Sequence, residues 1–181
     1  GSLRGLAILI VLIITLEPNL VAVKRDERPG HTLLLIDVSQ SMSQVDSFRR
    51  DGVQDLADTI AKLKKHDQCN GRIAVIGLCY GGPYAILGPA RLGCSVGIAF
   101  HGTKVQNYLD ELDGITAPIV LHWGDQDHAL PPDALAQIRA ATSGRANTDI
   151  TIYPGVQHGY TSAVNPPSYD AVATRNSLAR A

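Results

Sequence analysis

Short apolar runs punctuate the chain at residues 6–16 (LAILIVLIITL), 31–38 (HTLLLIDV), 72–77 (RIAVIG), 95–100 (SVGIAF), 117–124 (APIVLHWG) and 149–155 (DITIYPG). Ile, Val and Leu fill them without strict alternation, which predicts strands buried on both faces. Segments of mixed polarity lie between. In 44–66, Val53, Leu56, Ile60 and Leu63 fall three and four apart, one stripe of a helix with lysines gathered at its end. Further helical patterns occupy 81–91, 131–142 and 168–181. Two prolines open the second of these, and Ser168 is the expected cap of the third. Strand and helix in alternation predict a mostly parallel sheet with helices on both faces, a three-layer α/β/α sandwich. Gly1-Ser2 reads as an expression remnant, so the expectation is one α/β domain over residues 3–181.

Composition narrows the class. The 181 residues suffice for one sizeable core, and 45% hydrophobic with 18% charged residues is a globular balance that excludes a disordered chain. A net charge of −1 leaves no broad basic face for nucleic acid, so none is expected as a partner. The run at 6–16 is eleven residues long, where a membrane-spanning helix needs about 20. A signal-peptide core is its rival reading, because Arg4 precedes it. No small-x-small cleavage site follows in EPNLVAVKRDE, and a buried strand fits the Ile and Val content better. Three cysteines, Cys69, Cys79 and Cys94, are too few and too irregular for a disulfide framework. No Cys or His spacing suggests zinc, and a reduced, cytoplasmic setting follows.

The chemistry concentrates in VIGLCYGGPYA, residues 75–85. Gly77-Leu78-Cys79-Tyr80-Gly81 fits G-x-nucleophile-x-G, in which a strand turns abruptly into a helix with the nucleophile at the apex. Bulk two residues to either side would collide with the backbone, and glycine removes the collision. The alternative is that Cys79 is a small buried hydrophobe. A nucleophile of this type needs an acid and a histidine, in that chain order. IVLHWGDQDHALPP offers Asp125 and Asp127 after one strand, and ITIYPGVQHGYTS offers His158 after the last. His158 would take the proton from Cys79, and the acid would fix the imidazole's tautomer.

With these residues in view, the segment from about 71 to 175 resembles the dienelactone hydrolase family of the α/β-hydrolase fold. GRIAVIGLCYGG, GIAFHGT, ITAPIVLHWGDQDHALPP and IYPGVQHGYTS carry the resemblance, and the first 38 residues resemble that family's first core strands. The resemblance implies Cys79 as nucleophile, His158 as base and Asp127, three residues after Gly124, as the acid. It implies an oxyanion hole from the backbone N–H of Tyr80 and one near Ile13. The implied substrate is a small ester or lactone, cleaved through a thioester without a cofactor or metal. The chain departs from the family in places. Leu12 and Ile13 stand where the family carries a glutamate that contacts the nucleophile, with Glu17 nearby in sequence. Ser162 stands where the family's prototype has one substrate-binding arginine. Arg49 and Arg50 lie in the shortened segment that holds the other. The family's first hairpin and the end of its last helix are trimmed, and a trimmed sheet edge invites a second copy of the chain as cover.

Two other readings compete. LLLIDVSQSM resembles the D-x-S-x-S site of von Willebrand factor type A domains, where Asp37, Ser39 and Ser41 would hold Mg²⁺ in a binding module. A fold kept without its activity is the second, with Cys79 an inert core thiol. Tyr80, Phe100, Trp123 and Tyr160 could line a small apolar pocket or simply fill the core. His101, His122 and His128 fall near strand ends facing the presumed site, where substrate contact and loop solvation are both open. Cys69 reads as surface and Cys94 as core, with a disulfide between them left open.

Overall fold

A computed structural model describes the backbone of residues 32–38 and residues 52–67 and 69–181. The expected strand at 6–16 lies outside them. The described strands are β1 (Thr32–Val38), β2 (Ile73–Cys79), β3 (Val96–Phe100), β4 (Ile119–Gln126) and β5 (Thr148–Gln157). They form a single five-stranded sheet in the order β1-β2-β3-β4-β5, every pair parallel. The helices are α1 (Gly52–Lys64), α2 (Tyr84–Leu92), α3 (Ala134–Thr142) and α4 (Ala171–Arg180).

Strand order equals chain order, so crossovers of one hand lay successive helices on one face. The packing agrees. Ala85 and Ile86 of α2 and Ile138 of α3 meet Ala99, Ile119, Leu121 and Trp123. Leu56, Ile60 and Leu63 of α1, three of the four stripe residues, meet Ile73, Val75 and Cys94. On the opposite face, Ala173 of α4 joins Ile98, Phe100, Tyr153, Val156 and Tyr160. Neighbours in β3 thus point to opposite layers and are buried in both, which is why the run shows no polar alternation. No helix among the described residues is long and apolar enough to cross a membrane.

Two local features depart from the sequence reading. Residues Val105–Gly114, for which no element was expected, form a 3₁₀ stretch kinked at Tyr108. Val105 and Leu112 anchor it in the core, and Arg145 clamps it by bonding the Leu112 carbonyl at 3.0 Å and pairing with Asp113. Val105, Tyr108, Leu109 and Leu112 stand at the three-and-four spacing of a helix and all face the core, a short signal that the reading of the longer runs passed over. The cap of α4 is Asp170 rather than Ser168. Asp170 Oδ1 accepts the N–H groups of Val172 at 2.9 Å and Ala173 at 2.8 Å. Ser168 instead accepts from the Asn165 amide in the loop before it.

The seat of α2 on the sheet positions everything downstream of Cys79. Pro89 sits inside α2 and has no N–H for the Ala85 carbonyl. That carbonyl points at β3, where a Cβ on Gly97 would lie 1.7 Å from its oxygen. Only glycine fits. Gly97→Ala is therefore expected to cost about 3 kcal/mol through forced displacement of α2. Gly114→Ala, whose Cβ would meet nothing within 4 Å, should be neutral or slightly stabilising. Denaturant midpoints of the two variants check the contrast.

Candidate active site

β2 runs straight into the elbow. Cys79 is its last residue and has φ +51°, the left-handed region that a side chain enters at a cost. A Cβ on Gly77 would lie 1.9 Å from the Gly81 carbonyl oxygen, so the chain can fold back this tightly only over glycine. The Leu78 carbonyl accepts from Gly81 N–H at 2.7 Å. The Cys79 carbonyl accepts from Gly82 at 3.0 Å and from Thr103, beyond β3, at 2.8 Å. These bonds hold the apex.

Asp127 follows the end of β4, and His158 follows the end of β5. The three side chains converge beyond the carboxyl ends of their strands, where open α/β sheets place their sites. His158 Nδ1 lies 2.9 Å from both Asp127 oxygens, and His158 Nε2 lies 3.2 Å from Cys79 Sγ. The Asp127 side chain is 1% exposed and that of His158 15%. Asp127 also accepts the Ala129 N–H at 2.9 Å, which fixes the carboxylate. Burial works against a charge on His158, but the hydrogen bonds and charges of Asp127 and Cys79 outweigh it and raise its pKa to about 9. The imidazole therefore holds its proton at neutral pH. A proton carrier between a sulfur and a buried carboxylate is the geometry that thiol attack on an acyl group requires.

Asp125, the other candidate acid, is used elsewhere. Its Oδ1 accepts the Gly155 N–H at 2.7 Å and shapes the turn within β5. The Lys104 ammonium stands 5.3 Å from the centre of the Tyr80 ring. The second expected donor, near Ile13, lies outside the described residues. So do Leu12, Glu17, Arg49, Arg50, Ser39 and Ser41. Asp37 is on β1, in register with Leu78. Ser162 donates its N–H to the Gly159 carbonyl at 2.9 Å.

Of the four aromatic residues that could line a pocket or fill the core, Tyr80 is half-buried and the other three are interior. Phe100, Trp123 and Tyr160 are 2%, 0% and 0% exposed. Trp123 Nε1 donates to the Gly102 carbonyl at 2.9 Å, Phe100 stacks on His122, and Tyr160 packs under α4. Strands covered on both faces bury an aromatic at either parity, so none of these three offers a surface to a ligand. His122 is likewise core, with Nδ1 3.3 Å from the Tyr153 hydroxyl, and burial pushes its pKa down to about 4. His128 is exposed, its ring 6.2 Å from that of His158. His101 is buried beside His158, with ring centres 4.8 Å apart. Sequence patterns gave it no motif; the left-handed backbone that holds it is visible only in the fold. Cys69 and Cys94 are free thiols, and burial raises Cys94 to about 11. Among the described residues, no group of His, Cys, Asp or Glu could hold a metal ion.

Comparison with known proteins follows the same lines. The family model described as "Dienelactone hydrolase family" matches residues 24–181. Carboxymethylenebutenolidase 1 of Cupriavidus pinatubonensis is 30% identical over 129 residues, covering 71% of this chain and 54% of that protein. The carboxymethylenebutenolidase of a Pseudomonas species is 31% identical over 133 residues, covering 72% and 54%. The chain thus spans about half the length of the curated relatives it matches. Among solved structures, a dienelactone hydrolase-like promiscuous phosphotriesterase from metagenomic libraries superposes with a TM-score of 0.59. It shares 17% identity, with 71% of this chain and 58% of that one covered, and at that identity the likeness concerns the fold alone.

The charge arrangement makes a direct prediction. His158 should titrate near pH 9 in an NMR experiment on the folded protein. Asp127→Asn removes a hydrogen bond and a charge that raise that value and leaves the burial that lowers it. The midpoint should fall by two units or so, and a midpoint still near 9 would show that Asp127 does not govern the imidazole.

Proposed function

The chain belongs to the dienelactone hydrolase family, and from that premise we propose that it hydrolyses small esters or lactones through Cys79, His158 and Asp127. One observation supports this above the rest: a single imidazole lies within hydrogen-bond reach of both a sulfur and a buried carboxylate. The relatives named carboxymethylenebutenolidase support the same class of substrate.

Cys79 attacks as the thiolate, its proton held by His158. The sulfur bonds to the carbonyl carbon, and the carbonyl π electrons move to oxygen. The Tyr80 N–H donates to that oxyanion, and one such donor is worth about 3 kcal/mol of barrier. As the intermediate collapses, the C–O bond breaks and His158 Nε2–H gives its proton to the departing alkoxide. A water molecule then attacks the thioester carbon, and His158 takes the proton from it. Collapse of the second intermediate frees the acid and returns the thiolate beside a protonated imidazole. Asp127 holds Nδ1 throughout and compensates the positive charge on the ring.

A panel of p-nitrophenyl esters and small lactones tests the reading. Cys79→Ala and His158→Ala should each lower kcat/KM at least about a thousandfold on any substrate the wild type cleaves. Hydrolysis that persists in Cys79→Ala removes the sulfur from the mechanism. In the wild type, the rate should decline as pH rises through about 9, because His158 then lacks the proton it gives the alkoxide. A rate that still climbs beyond that pH contradicts the assigned acid.

A further inference from the structure

His101 takes no part in the mechanism above, yet it is the most constrained side chain near it. It follows the end of β3 with φ +41°, a conformation rare outside glycine. Its backbone N–H donates to the His122 carbonyl at 2.7 Å, which carries the chain past β4 in that shape. The residue is 4% exposed. Its ring stands edge-on to His158, with centres 4.8 Å apart at 73°, and edge-on to Tyr160 at 5.5 Å and 76°. Its Nε2 is 2.9 Å from Thr161 Oγ1, three residues beyond His158 on the same loop. Its Nδ1 is buried without a hydrogen-bond partner among the described residues. A buried polar ring with one open nitrogen and a strained backbone is costly, and such features persist where function uses them.

We propose that His101 is a positioning residue for His158: it braces the imidazole from the side and, through Thr161, ties the loop that carries it. Two contacts on one loop, three residues apart, fix both the place of the loop and the tilt of the ring. Asp127 alone leaves the ring free to pivot about the Nδ1 bond, which would swing Nε2 off the sulfur. A neutral ring suits the brace. Burial first, then the positive charge of His158, push the pKa of His101 down to about 4, against the opposing pull of Asp127 and of its own backbone. At neutral pH, His101 therefore adds no second positive charge beside His158. An alanine there would leave a hole, and a lysine a repulsion.

The inference rests on the Cys79–His158 pairing of the proposed function, but its test needs no ester substrate. The reporters are the rate of iodoacetamide alkylation at Cys79 at pH 7 and the NMR titration of His158. Thr161→Val keeps the ring contact and removes the tie. His101→Phe keeps an edge-on ring and removes the same tie. Each should slow alkylation by about tenfold and lower the His158 midpoint, with the thermal melt of Thr161→Val little changed. The double variant should be no worse than the poorer single one, because both break one bond. Should Thr161→Val alkylate and titrate like the wild type, or should the two losses simply multiply, the tie does not position His158 and the proposal fails. Since position 101 has a left-handed backbone, His101→Phe is the variant at risk of misfolding; Thr161→Val alone then decides. Normal alkylation control with no ester hydrolysis in the wild type would instead overturn the proposed activity and leave this inference standing.

Discussion

The chain reverses at Cys79, and that reversal is possible because two backbone segments come closer than any side chain permits. The Gly81 carbonyl occupies the place where a Cβ of residue 77 would be. A left-handed backbone at a residue with a side chain costs on the order of 1 kcal/mol or more. Here the surrounding bonds enforce it: the Cys79 carbonyl is held from its own turn by Gly82 and from the loop after β3 by Thr103. The chain then enters α2 at Tyr84. Every other feature of the site answers to this point. Thr103 lies two residues past His101, so the segment that locks the apex also delivers the ring that flanks His158.

The electrostatics follow from what is buried. Asp127 has almost no exposed side-chain surface, and an isolated carboxylate there would be costly. His158 compensates it, held by the hydrogen bonds to both of its oxygens. Taking away one member strands the other in a poorly solvated place. Burial alone would have made His158 hard to protonate, as it does for His101 and His122. Among the described residues, two buried imidazoles and the half-buried His158 thus end in opposite states, and the difference is the hydrogen bonds of His158 to Asp127 and Cys79.

Much of this was legible from residue order, for identifiable reasons. The strands at 73–79, 96–100 and 119–126 announce themselves as apolar runs, since both faces are covered. Cys79 and His158 sit in glycine-rich turns, and Gly77 and Gly159 are local marks of the backbone those turns need. The choice between Asp125 and Asp127 was not local. Both follow β4, and which carboxylate reaches the imidazole depends on a loop in β5 that Asp125 itself helps to shape. His101 and Thr161 come from separate strands' ends and meet only in space, so no spacing reveals them. For the aromatics a pocket and the core both stayed open, because side-chain type says nothing about which layer of a sandwich a strand residue enters. Phe100 and Trp123 are each packed away on opposite sides of the sheet.

The sheet's strand order has a consequence in time. Each described strand pairs with the one before it in the chain, so the contacts that build the sheet are between neighbours in sequence. Each pairing closes one helix-bearing crossover, the shortest closure a parallel sheet allows. A polypeptide emerging from the ribosome can therefore lay β1 to β4 down in turn and bring the thiol and the carboxylate into place early. The imidazole arrives with the fifth strand, after both of them. Until that strand docks, Cys79 lacks the imidazole that stands 3.2 Å from its sulfur in the folded chain.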